Sequence, residues 1–335
     1  MLQADPIQTL SSVDYSRADF FGERACSLSR LIQKGYRVPF GVVISTKVFK
    51  RFLNTLAGTR RIETLIGTMN PDNLNEAARE IQDILLNSPV PMPMANTIAE
   101  KLYELMDRIQ KDRTLVVRTS PHVEDSARHL CFGRGVYFHL SDISNIIQTM
   151  KTCWASAYTP DVLADLLEFG LPPDSVRIAT IVEEMIHAKV SGIISTKKRN
   201  EATNNGLHIH IRSNWGTQVY EGDNGIFCDH IIVNEGKEGE PVETFVSFKE
   251  NITQIPENSQ HAVVVENHPD KKRELSLSPE KITVLTQLAK KIRRDFEIGY
   301  DVEFAFDHDD HLWVLDARPH SMDRYHRVGG RVSHL

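Results

Sequence analysis

Hydrophobic and polar residues alternate most clearly near the end of the chain, over residues 301–318. This alternation predicts a β-hairpin, because successive side chains of a strand point to opposite faces of its sheet. Asp301 and Glu303 then share one face of the first strand, and Asp316 and Arg318 share one face of the second. The opposite faces are predicted to carry Val302, Phe304 and Phe306 on the first strand and Trp313, Leu315 and Ala317 on the second.

Over most of the chain the period lengthens to three and four residues, which predicts helices, interrupted by short apolar runs that predict strands. A loop at Phe20 is predicted to enter a helix that stops at Gly35. Further helices are predicted over residues 46–57, 72–87, 94–111, 142–168 and 279–296. Strands are predicted at 38–45, 114–120, 176–186, 190–196, 206–212, 228–233, 243–249 and 261–266. The mixture predicts an α/β fold with an N-terminal lobe over residues 1–190, a C-terminal lobe containing the hairpin over 191–320, and a polar tail over 321–335.

Composition narrows the class of protein. The 335 residues are 41% hydrophobic and 25% charged, with a formal net charge of −6, which is typical of a globular chain long enough for two cores. No basic block stands out, which argues against nucleic acid as the main partner. Four widely spaced cysteines indicate reduced thiols and not a disulfide framework. The N-terminal residues show no secretory signal and no apolar run reaches membrane-spanning length, so we predict a cytoplasmic protein without a membrane partner.

The hairpin also carries candidate chemistry. Glu303 and Asp316 offer the hard oxygen ligands that Mg²⁺ prefers, and Arg318 offers a planar donor group suited to phosphate oxygens. The alternative is a structural ion-pair network among the same three residues, and on this stretch alone that alternative is favoured. The acidic turn at Asp307, Asp309 and Asp310 lacks the glycine and glutamate of a calcium loop, which predicts a solvated turn.

Other candidate residues lie earlier in the chain. Arg118 ends an apolar strand, where an arginine must be paired or must face a binding site; either a phosphate contact or a salt bridge to Glu124 fits. Arg24 lies where a loop enters a helix, a position that favours anions. Gly133 and Gly135 allow backbone to approach phosphate oxygens, although such glycines are also common in turns. The stretch Glu183-Glu184-Met185-Ile186 fits either a backbone edge that contacts an adenine or a plain strand end.

Several short motifs occur in the same order as in a known family. Val117-Arg118-Thr119-Ser120 is similar to the family's Val-Arg-Ser-Ser, and Leu315-Asp316-Ala317-Arg318-Pro319 is similar to its Leu-Gln-x-Arg-Pro. Other matching stretches occupy residues 22–28, 38–42, 121–125, 131–133, 153–156, 182–186, 191–193 and 301–304. Together they resemble the N-terminal nucleotide-binding domain of phosphoenolpyruvate synthase, pyruvate phosphate dikinase and rifampicin phosphotransferase. The resemblance runs from about Phe21 to Pro319.

The resemblance implies an ATP-grasp fold, with two lobes and a nucleotide cleft between them, and ATP and Mg²⁺ as cofactors. It implies that the guanidinium groups of Arg118 and Arg318 contact phosphates, together with Arg24 at the position of the family's lysine. Glu303 and Asp316 would hold Mg²⁺. The backbone of Glu183, Glu184, Met185 and Ile186 would meet the adenine, and Gly133 and Gly135 would belong to a mobile lid.

The departures from the family concern both the site and the acceptor. Arg24 replaces a lysine, Asp316 replaces a glutamine, and residues 215–222 replace the family's Gly-Leu-Gly-Glu stretch. No Thr-x-His-Ala-like motif of a phosphohistidine domain occurs in these residues. We therefore expect a kinase-type phosphotransferase that passes a phosphoryl group to a separate His-bearing protein or directly to a small molecule. A biosynthetic ligase that forms an acyl phosphate and a non-catalytic nucleotide-binding subunit are the alternatives.

Overall fold

The structure is a computed structural model, and it describes residues 5–109, 115–122, 136–140, 142–172, 176–197, 208–217, 227–234, 241–256, 259, 263–296 and 299–319. The chain forms two compact units. The first contains the described residues up to Met185 except 34–38, and the second contains residues 34–38 and nearly all of those from Ile186 onward. Of the residues predicted for the site, Gly133 and Gly135 lie outside the described ranges, as do Glu124 and the predicted tail at 321–335.

The first unit is built on a five-stranded sheet whose strand order is β1-β2-β5-β3-β4. Its strands are β1 (Ile7–Thr9), β2 (Gly41–Ile44), β3 (Leu115–His122), β4 (Val136–Leu140) and β5 (Arg177–Glu184). Its helices are α1 (Ala18–Gln33), α2 (Thr46–Thr55), α3 (Thr59–Thr68), α4 (Leu74–Asn87), α5 (Met92–Met106), α6 (Ile143–Ala155) and α7 (Pro160–Glu168). A core of aliphatic and aromatic side chains joins the helices to the sheet, with Trp154 packed against Phe49 and Phe52.

The second unit is built on a six-stranded antiparallel sheet in the order β13-β12-β6-β7-β8-β9, and a two-stranded sheet pairs β10 with β11. Its strands are β6 (Ala188–Lys197), β7 (His208–Trp215), β8 (Asp229–Asn234), β9 (Pro241–Phe245), β10 (Asn251–Gln254), β11 (Val263–Glu266), β12 (Tyr300–Asp307) and β13 (Leu312–Pro319). Its helix is α8 (Pro279–Phe296). Residues 34–38 join this unit: the Tyr36 hydroxyl donates to Asp295 Oδ2 at 2.8 Å, and the Val314 amide donates to the Arg37 carbonyl at 2.8 Å.

Most predicted elements are confirmed. Helix α8 has the predicted ends, with the Ser278 carbonyl and hydroxyl accepting amide hydrogen bonds at its start. The first helix ends before Gly35, whose φ of +77° is a left-handed conformation that glycine adopts without strain. The helix predicted over 142–168 is instead two helices, α6 and α7. Pro160 begins the second, because proline lacks the amide hydrogen that a continuing helix needs. Helix α3 and strands β1, β4 and β10 were not predicted.

The predicted faces of the hairpin are confirmed on β12 but are wrong for Trp313 and Leu315 on β13. Glu303 pairs with Asp316, but Phe304 pairs with Val314, so Leu315 is an extra residue that forms a bulge. Residues directly opposite each other share a face of the sheet. The bulge therefore places Trp313, the partner of Ala305, on the same face as Glu303 and Asp316, whereas strict alternation predicted the opposite face.

The described cysteines Cys26, Cys153 and Cys228 are buried and form no disulfide. Burial raises the pKa of the Cys26 thiol, and that of the Cys153 thiol, to about 12, because an apolar surrounding disfavours the thiolate. Both groups are therefore protonated at neutral pH and are poor nucleophiles. No helix in the described ranges combines the length and the apolar composition needed to cross a membrane.

Candidate active site

The hairpin of β12 and β13 brings three of the predicted site residues together. Glu303 lies directly opposite Asp316, and Asp301 lies directly opposite Arg318. These four side chains share one face, and β12 pairs on its other edge with β6. The sheet thus presents three acids and one arginine at the end of the hairpin that lies farthest from its turn.

Arg318 bridges the two carboxylates. Its Nη2 lies 3.1 Å from Glu303 Oε1 and 2.8 Å from Asp316 Oδ2, and its Nε lies 3.0 Å from the same Asp316 oxygen. The other oxygen of Asp316 accepts a hydrogen bond from the Ala317 amide at 2.9 Å. This is the ion-pair network that the sequence left open as an alternative to a metal site. A guanidinium and a divalent cation both neutralise carboxylates, so the network is compatible with a cation that takes the place of the arginine.

Exposure differs sharply within this group. The Asp316 side chain is 1% exposed, whereas those of Glu303 and Arg318 are 35% and 42% exposed. Asp316 thus forms the floor of the arrangement, and Glu303 and Arg318 face solvent. A magnesium ion in proteins commonly takes one or two carboxylates and completes its octahedron with phosphate and water oxygens. The donor set of Glu303 and Asp316, on facing positions of adjacent strands, fits that pattern.

An apolar cluster shares the face that carries the acids. Ile186, Ala188, Ala305 and Trp313 are buried together, with Leu315 packed against them. Trp313 is fixed from two sides: its Nε1 donates to Asp307 Oδ2 at 2.8 Å, and the guanidinium of Arg37 lies 4.3 Å from its ring centroid. Because these side chains are buried, the cluster supports the acidic face of the hairpin from within the second unit.

The acidic turn of the hairpin contains a group of possible metal ligands. Ligand atoms of Asp307, Asp309 and His311 all lie within 4.8 Å of one another. However, Asp307 accepts hydrogen bonds from Trp313 Nε1 and from the amides of Asp309 and His311. Burial alone would raise the pKa of Asp307, but these hydrogen bonds outweigh it and lower the pKa below its usual value. Asp307 therefore orders the turn and anchors Trp313.

In the first unit, Arg118 forms a buried ion pair. Its Nη1 lies 2.9 Å from Glu183 Oε1, and the two side chains are 8% and 3% exposed. The register of the sheet explains the contact, because β3 and β5 are adjacent and Val116 lies opposite Glu183. The sequence had suggested Glu124 as the salt-bridge partner; the structure shows Glu183, a residue for which only a backbone role was predicted.

Arg24 is held close to the same strand. Its Nη1 donates to the carbonyl oxygen of Thr119, the residue after Arg118. Gly22 makes this approach possible: it has a φ of +76°, and a Cβ there would lie 2.0 Å from the Ser120 carbonyl oxygen. The Ser120 hydroxyl donates to the Phe21 carbonyl at 2.9 Å and accepts from the Ala25 amide at 3.0 Å. Ser120 thus ties the start of α1 to β3, a role that sequence reasoning did not assign to it.

The segment predicted to meet the adenine is divided by the end of β5. Strand β5 ends at Glu184, and the Glu184 amide donates to the Phe40 carbonyl at 2.8 Å. Glu183 lies opposite both Gly41 and Val116 in the middle of the sheet. Met185 and Ile186 follow the strand and are outside its ladder. Backbone contact with a base is therefore easier to reconcile with Met185 and Ile186 than with Glu183 and Glu184.

Within each unit several of the described site residues lie close together. Arg24 contacts the backbone of Thr119, the neighbour of Arg118 on β3, and Glu303, Asp316 and Arg318 contact one another on the hairpin. Sequence reasoning missed Ser120 and Trp313 as residues that position the groups around them. The sequence shows both the stretch from Gly22 to Ala25 and the motif around Ser120. It does not show that hydrogen bonds join them, because these bonds connect residues that are 95 or more positions apart.

The chain belongs to the family described as pyruvate phosphate dikinase, AMP/ATP-binding domain, whose sequence profile matches residues 18–329. This membership confirms the resemblance drawn from the ordered motifs. The helices and sheets of the structure confirm the predicted α/β class.

Curated relatives agree with this assignment. The prodigiosin synthesizing transferase PigC of Serratia marcescens is 27% identical over 301 residues, which cover 89% of this chain and 31% of PigC. The phosphoenolpyruvate synthase of Aeropyrum pernix is 25% identical over 334 residues, covering 90% of this chain and 40% of that protein. The probable phosphoenolpyruvate synthase of Methanocaldococcus jannaschii is 23% identical over 318 residues, covering 93% and 26%. This chain thus spans less than half the length of these relatives.

Solved structures overlap this chain only loosely. D-alanyl-alanine synthetase A from Vibrio cholerae covers 73% of this chain at a TM-score of 0.30 and 10% identity, with 54% of that protein covered. N5-carboxyaminoimidazole synthetase from Staphylococcus aureus, complexed with ADP, covers 76% of this chain at a TM-score of 0.28 and 12% identity, with 46% of it covered. The family membership, and not these overlaps, supports the functional argument.

Proposed function

We propose that this chain is the nucleotide-binding part of an ATP-dependent phosphotransferase and that it binds ATP together with Mg²⁺. The observation that carries the proposal is the hairpin of an AMP/ATP-binding family member, which presents Glu303, Asp316 and Arg318 on one face within hydrogen-bonding distance. Two carboxylates and a planar cation are the groups that a polyphosphate with its metal requires.

Glu303 and Asp316 would hold Mg²⁺, which when bound neutralises charge on the phosphate oxygens. Arg318 is the proposed phosphate contact in this unit. Its exposure of 42% lets its guanidinium reach phosphate oxygens, and Mg²⁺ would then neutralise the buried Asp316 carboxylate in place of the arginine. Asp316 would remain as the fixed ligand, since its backbone hydrogen bond from Ala317 orients the carboxylate.

Arg118 and Arg24 are the proposed phosphate contacts of the first unit. A guanidinium has five N–H donors, and Nη1 of Arg118 lies 2.9 Å from Glu183 Oε1. Glu183 thereby fixes the plane of the Arg118 guanidinium, a preorganisation that lowers the cost of ordering it around a ligand. Arg24 is oriented in a similar way by the Thr119 carbonyl. Met185 and Ile186 are the proposed backbone contacts of the adenine.

We propose that the phosphoryl group goes to an acceptor outside these residues, either a histidine of a separate protein or a small molecule. The family relatives support this, because the matched region covers 31% of the Serratia marcescens transferase and 40% of the Aeropyrum pernix synthase. Phosphoryl transfer requires positioning and charge neutralisation more than covalent chemistry by the protein, so a domain that only binds Mg·ATP can serve several acceptors.

Labelled ATP tests the proposal. The chain is incubated with β- or γ-labelled ATP and Mg²⁺, alone and with a cell extract, and the products are separated. Release of AMP together with a labelled protein or small molecule supports a dikinase-like transfer. ADP and phosphate that form only with a carboxylate and an amine favour the alternative, a ligase that acts through an acyl phosphate. Absence of turnover under every condition contradicts an active phosphotransferase.

A non-catalytic subunit is the second alternative, favoured by Arg24 and by the altered stretch at 215–222. Thermal unfolding with and without Mg·ATP separates it from an enzyme, because a ligand that binds only the folded state raises the melting temperature. Stabilisation by ATP without turnover supports this alternative. Thermal unfolding of Glu303→Gln tests whether the stabilisation by Mg·ATP comes from the proposed site. Glu243→Gln, which changes an exposed acid on β9, is the matched control.

A further inference from the structure

A cavity of about 650 Å³ lies within the first unit, and its described lining residues include none of those assigned to the nucleotide. It is bounded by α2, α3, the start of α1, the residues after α6 and the start of β5. This volume is within the range of small-molecule sites, roughly 300 to 1,000 Å³. Because the proposed nucleotide contacts do not line it, the cavity needs an explanation of its own.

The walls of this cavity are mainly apolar. Phe49 and Leu53 contribute from α2, Ile62 and Ile66 from α3, and Tyr158 from the turn that follows α6. Aromatic and aliphatic walls of this kind favour an apolar ligand body through burial of its surface. They would not retain a fully polar metabolite.

Among the described lining residues of the cavity, cations outnumber acids. Lys47 and Lys50 lie one turn apart on the exposed side of α2, and Arg177 begins β5; the described lining acids are Asp19 and Glu63. The Asp19 carboxylate lies 3.2 Å from Arg17 Nε, so a cation outside the lining already offsets it. The Lys47 ammonium lies 4.7 Å from the centroid of the Phe20 ring. The rim therefore favours an anion.

We propose that this cavity is a second ligand site, which binds a small apolar carboxylate: a compact hydrocarbon body in the cavity and its anionic group beside Lys47 and Lys50. The apolar walls favour a hydrocarbon body in the ligand. The excess of cations at the rim favours a negatively charged group on it. This proposal does not rest on the nucleotide chemistry proposed above, so each of the two proposals can be tested without the other.

The contact between Phe49 and Trp154 allows ligand binding at this site to be followed by tryptophan fluorescence. Phe49 lines the cavity, and its ring stacks on Trp154 with 5.5 Å between ring centroids and 21° between planes. Trp154 is buried in the core of the unit. A ligand that displaces the Phe49 ring changes the surroundings of the Trp154 indole, which changes its fluorescence.

Adamantane-1-carboxylate is the probe, because it is apolar, singly charged and transparent where tryptophan absorbs. We expect a saturable change in tryptophan fluorescence on titration of the full chain, and roughly three- to fivefold weaker binding of the neutral adamantane-1-carboxamide. Equal binding of the amide, or no saturable signal with either compound, overturns the proposal. Saturating ADP is expected to leave the affinity for the carboxylate unchanged, and competition by ADP overturns a separate site.

Two matched pairs of variants locate the site. Gly67 lines the cavity from α3, and a Cβ added there meets nothing within 4 Å, so Gly67→Phe can place its first side-chain atom without a clash. It is expected to weaken probe binding about tenfold, whereas Gly67→Ala leaves it unchanged. Lys50→Glu is expected to weaken binding roughly fivefold, whereas Arg51→Glu on the same helix, outside the lining, does not. Equal affinities within both pairs overturn the assignment, and if Gly67→Phe fails to fold, the Lys50 and Arg51 pair decides.

Discussion

Arg118 in the first unit and Arg318 in the second are both proposed to contact phosphate, and both are paired with carboxylates, yet they differ in burial. Arg118 is buried against one carboxylate of a neighbouring strand, with both side chains less than a tenth exposed. Arg318 is 42% exposed and bridges two carboxylates on its own hairpin. Removing one partner of a buried ion pair costs stability, whereas the pair of Arg318 with Glu303, in which both side chains are partly exposed, is worth about 0–1 kcal/mol.

The contrast suggests a division of roles. The Arg118–Glu183 pair joins two adjacent strands, so the fold already sets the orientation of the Arg118 guanidinium. Any contact with phosphate would use the guanidinium in that orientation. Arg318 is not tied in this way, and its role depends on being able to exchange carboxylate oxygens for phosphate oxygens. We therefore expect substitution of Arg318 to reduce activity. Substitution in the Arg118–Glu183 pair is expected to reduce stability.

The largest effect is expected for Arg318→Ala. Nucleotide turnover should fall by roughly 10³- to 10⁵-fold, the range found when an arginine that contacts a transferring phosphoryl group is removed. Turnover is measured with labelled ATP, and circular dichroism checks the fold. Arg294→Ala, an exposed arginine on α8, is the control and should retain activity. Wild-type turnover in Arg318→Ala contradicts the site assignment.

The next effect is expected for Glu183→Gln, which leaves the Arg118 guanidinium buried opposite a neutral group. The free energy of unfolding should fall by about 3–5 kcal/mol, measured by urea denaturation. The double replacement Arg118→Met with Glu183→Leu should recover much of that loss, because two apolar side chains leave no unpaired charge. A loss of less than about 1 kcal/mol in the single variant would show that Arg118 and Glu183 are not coupled as the structure indicates.

A smaller effect is expected for Asp316→Gln, which introduces the residue that the family usually has. Glutamine is a weaker ligand for Mg²⁺ than a carboxylate, so the concentration of Mg²⁺ needed for half-maximal nucleotide binding should rise by about tenfold. A magnesium titration at fixed ATP measures it. Asp301→Asn, on the same face, is the comparison, and an equal rise in both variants would show that Asp316 is not a specific ligand.

The smallest effect is expected for Tyr36→Phe, which tests a partly exposed contact in the second unit. The Tyr36 hydroxyl lowers the pKa of the Asp295 carboxyl. A lowered carboxyl pKa stabilises the folded protein above the pKa of the unfolded chain, and this stabilisation is lost as the pH falls through the folded pKa. Tyr36→Phe should therefore cost about 1 kcal/mol at pH 7 and progressively less in acid, measured by thermal unfolding. Tyr103→Phe, an exposed tyrosine on α5, should be neutral at both pH values.

Much of the fold follows from local pattern. Helix α8 has the predicted ends because Ser278 and Pro279 are strong start signals and because its apolar residues keep a regular spacing. Strand β12 has the predicted faces because its alternation is unbroken. Helix α3 was missed although Ile62 and Leu65 have helical spacing, since its ten residues follow α2 after only three others and contain a glycine.

The candidate site could be predicted only in part from the local sequence pattern. The sequence places Glu303, Asp316 and Arg318 on one face through the period of the strands, and the structure bears this out. It does not reveal the bulge at Leu315, because a bulge depends on how two strands align and not on the residues of either strand alone. The Trp313 side chain changes face for that reason.

By itself, the amino-acid sequence determined the α/β class, the ends of the strongest elements, the acidic and basic residues of the hairpin, and the family through the order of its motifs. Only the tertiary structure decided which charges meet. Glu183 is 65 residues from Arg118 and is paired with it because β3 and β5 are neighbours in one sheet. Pairing of this kind depends on the alignment of distant strands and on the burial that the alignment creates, and neither is encoded in any single stretch of the chain.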